Sequence, residues 1–456
     1  MATVAPLTPL TYDFSRFQST FANVVAPPYD VISPEERAAL AARDPHNVVK
    51  LILPEGEAGA QGADAKYAAA SALFEQMKRD KVLVRDDAPG FYVYEQTFAP
   101  PGGGAKVTRR GFLGLVRVVP FSDRVVLPHE RTLSGPKEDR LKLFRATCTN
   151  FSPGFMLYRD PLRTLDATLE AGKPLAQFTT SDAIEHRLSK VEDAAALARI
   201  TAFMKDQALL IADGHHRYET SLRYAQEAAA AHPGMSDKAR ARYFMVFFAN
   251  EDDPNLLVFP THRHVHDVAG APAFAAMREK LASMFHVEPL VAASAGGDAA
   301  SIARAATAML AEKAKAKKVS FAVFGPHAEE QIVVTLKDDA NLATHRVLAE
   351  SPEALRRTDV AVLHGAILED VLGITKEAQA AKTNLWYPQD AAAALTKLRG
   401  GEGQALFVMN PTPVADVRAV AEAGSVMPQK STFFYPKVIT GLAIHTLEHD
   451  QDVAAS

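Results

Sequence analysis

The residue types best suited to chemistry are concentrated in residues 211–220, where the sequence is IADGHHRYET. Asp213 supplies a carboxylate, and His215 and His216 supply imidazoles. Arg217 supplies a planar guanidinium group, whose donors suit a phosphate or a carboxylate. Four charged or titratable side chains within five residues predict a site that binds an anion.

The elements around this stretch would present it to a ligand. Residues 207–212 form an apolar run typical of a buried strand, and residues 216–230 have the composition of an amphipathic helix. Asp213 and Gly214 predict a tight turn between them, where glycine lets a ligand approach the backbone. The first N–H groups of a helix lack partners and carry the positive end of its dipole, so this turn is predicted to bind phosphate. The alternative is an ordinary strand-to-helix turn whose side chains tie down neighbouring loops.

A second stretch of chemical interest follows the apolar run 125–127. His129 and Glu130 come directly after Pro128 and before a polar loop that includes Thr132. The end of a strand fixes position while a loop gives access, so the pair is a candidate acid–base site. A surface ion pair is the alternative interpretation.

Tyr29 and Asp30 lie on a segment that two prolines stiffen. Proline fixes the backbone and disfavours helix in the residue before it, which predicts an extended path here. Residues 33–36 then begin a helix with a serine cap and an acidic first turn. Tyr29 and Asp30 are therefore candidate ligand contacts, and a stiff helix entry without a binding role is the alternative.

Residues 427–437, MPQKSTFFYPK, form an unusual loop-like segment near the end of the chain. Three aromatic residues are flanked by Lys430, Ser431 and Lys437, and prolines bound the segment. We predict a lid that offers charge and hydroxyl groups to an anionic ligand. The alternative is a terminal segment anchored by its aromatic side chains.

Further patterns predict structure more than chemistry. Residues 48–53 are apolar apart from one lysine and predict a buried strand, and residues 91–98 and 109–120 predict a hairpin. Three histidines alternate along an extended segment, namely His262, His264 and His266. We expect them on one solvated strand face, with a metal site as the alternative.

Composition bounds the class of protein. A chain of 456 residues is long for one core and predicts two or three domains. The net charge of −4 and the pI near 6.4 argue against nucleic acid or a membrane as partner. The single cysteine, Cys148, excludes a disulfide framework and fits a reducing compartment. No apolar run has the length of a membrane span and no signal-peptide pattern is present, so we expect a cytoplasmic protein.

Four motifs together resemble a bacterial and archaeal family of unknown function. They are APPYDVI from Ala26, PHERT from Pro128, ADGHHRYET from Ala212 and MPQKST from Met427. The resemblance covers nearly the whole chain. A more distant similarity is to the ParB/sulfiredoxin-like fold, and in chemistry the chain resembles the ADP-dependent free serine kinase, which phosphorylates L-serine. This resemblance implies a nucleotide, ADP or ATP, and Mg²⁺ as cofactors.

The resemblance also implies roles for individual residues. Glu130 becomes the candidate base for the substrate hydroxyl, and Asp213 becomes a catalytic residue that binds Mg²⁺ or assists as a base. The implied nucleotide- and phosphate-binding residues are Gly214, His215, His216, Arg217 and Thr220. The candidate substrate-binding residues are His129, Thr132, Tyr29, Asp30, Lys430, Ser431 and Lys437.

The same relatives exclude some activities. Sulfiredoxins have a reactive cysteine where this chain has His215, so sulfinic-acid reduction is disfavoured. ParB proteins have an arginine-rich box and separate DNA-binding helices that are not evident here, which disfavours chromosome partitioning. The chain departs from the small kinase in the 82 residues between Glu130 and Asp213 and in its large C-terminal part.

We therefore predict an α/β (α+β-like) protein with a ParB/sulfiredoxin-like mixed core in residues 1–268 and a mixed α/β C-terminal domain in residues 269–456. The leading hypothesis is a small-molecule kinase or other phosphotransferase, with free L-serine as the first acceptor to test. The alternatives are a non-catalytic nucleotide sensor and a hydrolase of small phosphorylated metabolites. The pattern leaves the oligomeric state open.

Overall fold

The computed structural model describes residues 1–56, 64–100, 104–130, 134–290 and 297–454. The chain divides into two compact units. The first comprises Met1–Pro128, Thr132–Leu257 and Pro436–Ser456, and the second comprises His129–Arg131 and Val258–Tyr435. The C-terminal segment therefore returns to the first unit after the chain has passed through the second.

Helices and strands are mixed along the first unit. In chain order they are β1 (Val4–Ala5), β2 (Leu10–Tyr12), α1 (Pro34–Arg43), α2 (Val49–Ile52), α3 (Ala65–Arg79), β3 (Leu83–Arg85), β4 (Phe91–Phe98), β5 (Val107–Arg117), β6 (Val126–Leu127), α4 (Ser134–Thr147), β7 (Thr149–Asn150), β8 (Gly154–Tyr158), α5 (Asp166–Glu170), β9 (Lys173–Thr179), β10 (Glu185–Val191), α6 (Ala194–Lys205), β11 (Leu209–Asp213), α7 (His215–Ala231) and β12 (Tyr243–Asn250). The mixed α/β class predicted from the sequence is confirmed.

A nine-stranded sheet organises the first unit. Its strands lie in the order β6-β11-β8-β12-β5-β4-β10-β9, and β1 pairs with β5 outside that path. β12, with the sequence YFMVFFAN, is buried at all eight positions, as expected for a strand covered on both faces. β4 and β5 pair antiparallel, which confirms the predicted hairpin. Ile200 of α6 and Tyr218 of α7 join Phe244 of β12 in the core of this unit.

The strand predicted at residues 48–53 is wrong, because Val49–Ile52 form the helix α2. Asn47 explains the difference. Its buried side-chain oxygen accepts a hydrogen bond from the first N–H of the helix at 2.9 Å, and its amide donates to the carbonyls of Asn23 and Val25. An apolar run this short cannot be assigned to strand or helix by its pattern alone.

The second unit also mixes helices and strands. Its elements are β13 (Leu257–Phe259), β14 (Arg263–Val265), α8 (Phe274–Leu281), β15 (Phe285–Pro289), α9 (Ala299–Lys315), β16 (Ser320–Phe324), β17 (Gln331–Leu336), α10 (Glu353–Arg356), α11 (Asp359–Val362), α12 (Lys376–Ala381), β18 (Leu385–Trp386), α13 (Ala391–Arg399), β19 (Ala405–Met409), α14 (Val414–Glu422) and β20 (Phe433–Tyr435). A six-stranded sheet runs in the order β15-β17-β16-β19-β14-β18. Leu310 of α9 and Leu398 of α13 pack in its core. Back in the first unit, β21 (His445–Thr446) pairs with β7.

The alternating histidines are not on a solvated face, so that expectation is wrong. His262, His264 and His266 are 4%, 1% and 9% exposed. The physical reason is that other residues cover these rings: Nε2 of His264 lies 2.6 Å from the carbonyl of Glu402, and the ring of His266 stacks on that of Trp386 with 4.1 Å between the ring centres. Burial lowers the pKa of His262 to about 4, and the backbone N–H of Met409 donates to its Nδ1 at 3.3 Å. These imidazoles are therefore part of the interior of the second unit.

The predicted domain boundary at residue 268 stays a prediction. The second unit resumes at Val258. Within the described part of the chain, no helix combines the length and the apolar character needed to cross a membrane.

Candidate functional site

The predicted strand, turn and helix are present in the first unit. β11 ends at Asp213, Gly214 follows, and α7 begins at His215. β11 lies between β6 and β8 in the sheet. The hydroxyl of Tyr218 makes hydrogen bonds with the backbone of Val119 and anchors the first turn of α7. The sheet thus fixes Asp213, and the anchored helix fixes the residues that follow it.

The turn requires a glycine at position 214. Gly214 has a φ of +92°, in the left-handed region that other residues rarely adopt. A Cβ atom on Gly214 would lie 3.0 Å from Cζ of Arg217. The missing side chain therefore lets the guanidinium group fold back over the turn towards Asp213.

Asp213 lies between two cations. Nη2 of Arg217 donates to its Oδ2 at 2.8 Å, and Nζ of Lys437 lies 3.4 Å from its Oδ1. Nη1 of Arg217 donates to the carbonyl of Pro153. The side chains of Asp213 and Lys437 are 22% and 18% exposed, whereas that of Arg217 is 5% exposed. Solvent, and hence a ligand, can reach the carboxylate and the ammonium group.

The charges around Asp213 keep it ionised. Burial acts to raise the pKa of its carboxyl group, but the charges of Lys437, Arg217 and His215 outweigh burial and hold the pKa well below its usual range. An efficient general base has a pKa near the working pH. The predicted role of Asp213 as a base therefore does not fit, and its position suits it to orient the two cations.

Asp213 is also a poor fit to a magnesium ligand. Each of its oxygens already faces a cation, whereas Mg²⁺ needs oxygen donors that are open to it. In the described residues no group of three His, Cys, Asp or Glu side chains could hold a metal ion. Magnesium at this turn would have to be held mainly by the phosphate oxygens of a ligand.

Arg109 adds a third cation behind this cluster. It is fully buried, and its Nη2 donates to Oε1 of Gln96, whose amide donates in turn to the carbonyl of Lys437 at 3.0 Å. The guanidinium group lies 4.9 Å from the ring centre of Phe155. Its Nε and Nη1 have no hydrogen-bond partner among the described residues. Burial lowers the pKa of Arg109 to about 10, so it remains a cation at neutral pH.

Tyr29 and Asp30 act on the same cluster. Burial acts to lower the pKa of Arg217, and the charges of Asp213 and Asp30 reverse that effect and raise it. The guanidinium group of Arg140 lies 4.3 Å from the ring centre of Tyr29. Burial, followed by the charge of Asp30, raises the pKa of the Tyr29 phenol, which stays neutral. In direct contact, the two cations Arg217 and Lys437 therefore face the single carboxylate of Asp213, while the charge of Asp30 acts on Arg217 and that of Asp253 acts on Arg109.

The other predicted residues of the turn differ in what they offer. His215 is buried, and His216 is half-buried. The hydroxyl of Thr220, which is 1% exposed, donates to the carbonyl of His216 at 2.7 Å within α7. Thr220 is thus used inside the helix, and its predicted contact with phosphate does not fit.

A second group of predicted residues lies in the second unit. His129 is fully buried, and its Nε2 lies 2.9 Å from Oγ1 of Thr432. The backbone N–H of Met427 donates to the carbonyl of His129 at 2.7 Å. The backbone N–H of Ser431 donates to Oε1 of Glu130 at 3.2 Å, across 301 positions of sequence. His129 and Glu130 therefore share one cluster with the MPQKST motif.

The segment predicted to be a lid is tied down by its backbone. Lys430 has a φ of +58°, and its carbonyl accepts a hydrogen bond from Nη2 of the buried Arg263 at 3.1 Å. The hydroxyl of Ser431 donates to the carbonyl of Pro428. Of the predicted substrate-binding residues, Thr132 lies outside the described residues.

The predicted residues thus fall into two groups. Those in the first unit are Tyr29, Asp30, Asp213, Gly214, His215, His216, Arg217, Thr220 and Lys437. Those in the second unit are His129, Glu130, Lys430 and Ser431. Three further residues of the cluster are not among the predicted ones, namely Gln96, Arg109 and Arg140. Gln96 and Arg109 are direct partners in the hairpin, so aligning its two strands could have shown a polar pair, whereas Arg140 gave no such signal.

Comparison with known families identifies the chain. Residues 4–361 match the model of the family described as "Protein of unknown function (DUF1015)". The chain belongs to this family. Membership of a family of unknown function, predicted from the four motifs, is confirmed. No curated protein matches the chain.

Several solved structures are similar to the chain. A free serine kinase variant in complex with ADP is 12% identical, with a TM-score of 0.33 over 68% of this chain and 83% of that one. The free serine kinase in complex with AMP gives the same values. A conserved hypothetical protein from Pyrococcus furiosus is 15% identical, with a TM-score of 0.32 over 69% of this chain and 91% of that one.

Proposed function

We propose that the cluster of Asp213, Arg217 and Lys437 binds the phosphate group of a nucleotide or a phosphorylated metabolite, and that the protein is a small-molecule phosphotransferase. The observation that supports the proposal is the pair of cations, Arg217 and Lys437, that contact the single carboxylate of Asp213 beside the first turn of α7. A helix start and charge-assisted donors together favour a phosphate. Phosphoryl transfer depends mainly on positioning and charge neutralisation.

The proposal gives the residues distinct tasks. Lys437 and Arg217 neutralise the phosphate, Asp213 orients both cations, and Arg109 adds buried positive charge. Glu130 takes the proton of the acceptor hydroxyl, a role that the motif resemblance to the free serine kinase implies. L-serine is the first acceptor to test, ADP or ATP is the donor, and Mg²⁺ enters with the donor's phosphates.

Replacing Lys437 tests the phosphate site. Lys437→Gln removes one charge-assisted contact, which is worth about 1.5–3 kcal/mol, so the affinity for ATP, ADP and pyrophosphate should fall roughly 10- to 100-fold. Isothermal titration calorimetry at two salt concentrations measures the change. Lys173→Gln is the matched control. Lys173 lies in the same unit, its side chain is 75% exposed, and it pairs with Glu192, which directly follows β10. Unchanged affinity in Lys437→Gln would refute the site.

Product analysis separates the proposed activity from its alternatives. The full chain is incubated with ATP or ADP, Mg²⁺ and L-serine or other hydroxyl compounds, and phosphorus NMR follows the products. A phosphorylated acceptor supports the phosphotransferase. Nucleotide binding without turnover assigns a sensor, and release of inorganic phosphate without an acceptor assigns a hydrolase.

A further inference from the structure

A cavity in the second unit is lined partly by Met427, Pro428 and Gln429, which begin the segment predicted to be a lid, and otherwise by residues outside the predicted sites. Its volume is about 340 Å³, within the range of small-molecule binding sites. Its lining residues lie between Val347 and Gln429, all inside the second unit. Neither the phosphate cluster nor the pair His129 and Glu130 contributes to it.

One wall of the cavity is a π-helix, Leu363–Glu369, which contributes His364, Gly365 and Glu369. π-helical turns are rare and are frequent at functional sites. A Cβ atom on Gly365 would lie 2.5 Å from Cδ2 of Leu348, another lining residue. The glycine therefore lets the apolar side of the cavity pack directly against this wall.

A buried hydrogen-bond network fixes that wall before any ligand arrives. Nε of Arg263 donates to Nε2 of His364 at 2.9 Å. The proton of the neutral imidazole is therefore on Nδ1, and Nδ1 donates to Oε1 of Gln379 at 2.6 Å. The amide of Gln379 donates to the carbonyls of His364 and Ile374. Burial lowers the pKa of His364 to about 3, which keeps its imidazole neutral and these hydrogen bonds intact at physiological pH.

The cavity also contains a carboxylate that lacks a cation. Glu369 is half-buried, and none of the described cations lies within ion-pair distance of it. Lys376, the lysine in the lining, lies 3.7 Å from Glu350 instead. A partly desolvated carboxylate gains most from a charged donor.

We propose that this cavity binds a small organic amine, with its ammonium group against Glu369 and its apolar body against Leu348, Leu355 and Met427. The three apolar side chains line the cavity and are largely buried in the protein. The proposal does not rest on the proposed phosphotransferase activity, because none of Asp213, Arg217, Lys437 and Glu130 lines the cavity.

Calorimetric titration of the full chain with phenethylamine tests the charge requirement. 2-Phenylethanol is the neutral probe of nearly the same shape, and 3-phenylpropionate is the anionic one. We expect the amine to bind at least about 10-fold more tightly than either, as a charge-assisted hydrogen bond predicts. Equal affinities for the amine and the alcohol would overturn the proposal. Trp386, the one tryptophan of the chain, precedes Tyr387 of the lining and gives a second readout by fluorescence.

Two variants locate the site. Glu369→Gln should lower the affinity for phenethylamine at least about 10-fold, whereas the control Glu377→Gln, on the exposed face of α12, should leave it unchanged. Ala380 is exposed and lines the cavity, so Ala380→Leu should weaken binding of amine and alcohol alike without lowering the melting temperature. Unchanged amine affinity in either Glu369→Gln or Ala380→Leu would overturn the proposal.

Discussion

Asp213 shows how far neighbours decide the role of a residue. Its type allowed three roles, namely base, metal ligand and partner of cations. The structure places Lys437, 224 positions away in sequence, and Arg217 against its two oxygens. These contacts favour the third role. Only the contact with Arg217 lay within reach of sequence reasoning, because the tight turn predicted at Asp213 and Gly214 brings the first turn of the helix close to the end of the strand.

Glu130 carries a prediction at the same scale. Glu130→Gln keeps an oxygen that can accept the hydrogen bond from the N–H of Ser431, so the fold and the nucleotide affinity should change little. The amide cannot take a proton, so transfer to a hydroxyl acceptor should fall at least about 100-fold. Single-turnover transfer and calorimetry with nucleotide measure the two effects.

The control for this variant is Glu353→Gln, an exposed carboxylate on α10 that should leave both quantities unchanged. Transfer by Glu130→Gln at a near wild-type rate would remove Glu130 from the role of base. Loss of nucleotide binding in Glu130→Gln would show that the residue acts on the fold instead.

At the scale of elements, sequence patterns correctly predicted those helices and strands whose deciding contacts lie close together in the sequence. The strand β11, its turn and the helix α7 follow from twenty-odd residues of apolar run, turn pair and helical spacing. The helix α2 was mistaken for a strand, because the deciding contacts of Asn47 reach back to Asn23 and Val25. The hydrogen bond from Gln96 to Lys437 spans 341 positions, and no local pattern encodes it.

The start of α7 supports a prediction about stability. Gly214→Ala places a Cβ atom at a φ of +92° and within 3.0 Å of the guanidinium carbon of Arg217. We expect a loss of about 1–3 kcal/mol in the free energy of unfolding, measured by urea denaturation. Gly234→Ala is the control, since a Cβ atom there meets open space, and it should change stability by less than about 0.5 kcal/mol. Equal stability of the two variants would contradict the strain described at this turn.

At the scale of the whole molecule, buried titratable groups link stability to pH. Burial lowers the pKa of four histidines to about 3 or 4, namely His186, His262, His364 and His445. Each of these histidines has a lower pKa in the folded state than in the unfolded state. Its contribution to stability is therefore complete above about pH 6.5 and is lost as the pH falls towards 4. Asp359 acts in the opposite direction, because burial and the charge of Asp416 raise its pKa to about 7. Its contribution is present below about pH 4 and is lost as the pH rises towards 7.

The net effect is a steep loss of stability in acid. Near pH 5 the four histidines take up about four protons on unfolding and Asp359 releases about one, which is a net uptake of about three. These five groups therefore lower the free energy of unfolding by about 4 kcal/mol for each unit by which the pH falls. Urea denaturation at pH 7.5, 6 and 5 measures the slope. His445→Gln should reduce it by about one proton, whereas the exposed His327→Gln should not. A midpoint that stays constant from pH 6.5 to pH 5 would contradict this account.

The return of the C-terminal segment to the first unit has a consequence for biosynthesis. While the ribosome makes residues 258–435, which takes roughly 10–35 s at ~5–20 residues per second, β7 lacks its partner β21. Lys437 is also missing from the turn at Asp213 during that interval. The growing polypeptide therefore cannot place both cations against Asp213 before Lys437 has been made, and a nascent chain that stops short of Lys437 should not retain nucleotide that residues 1–456 retain.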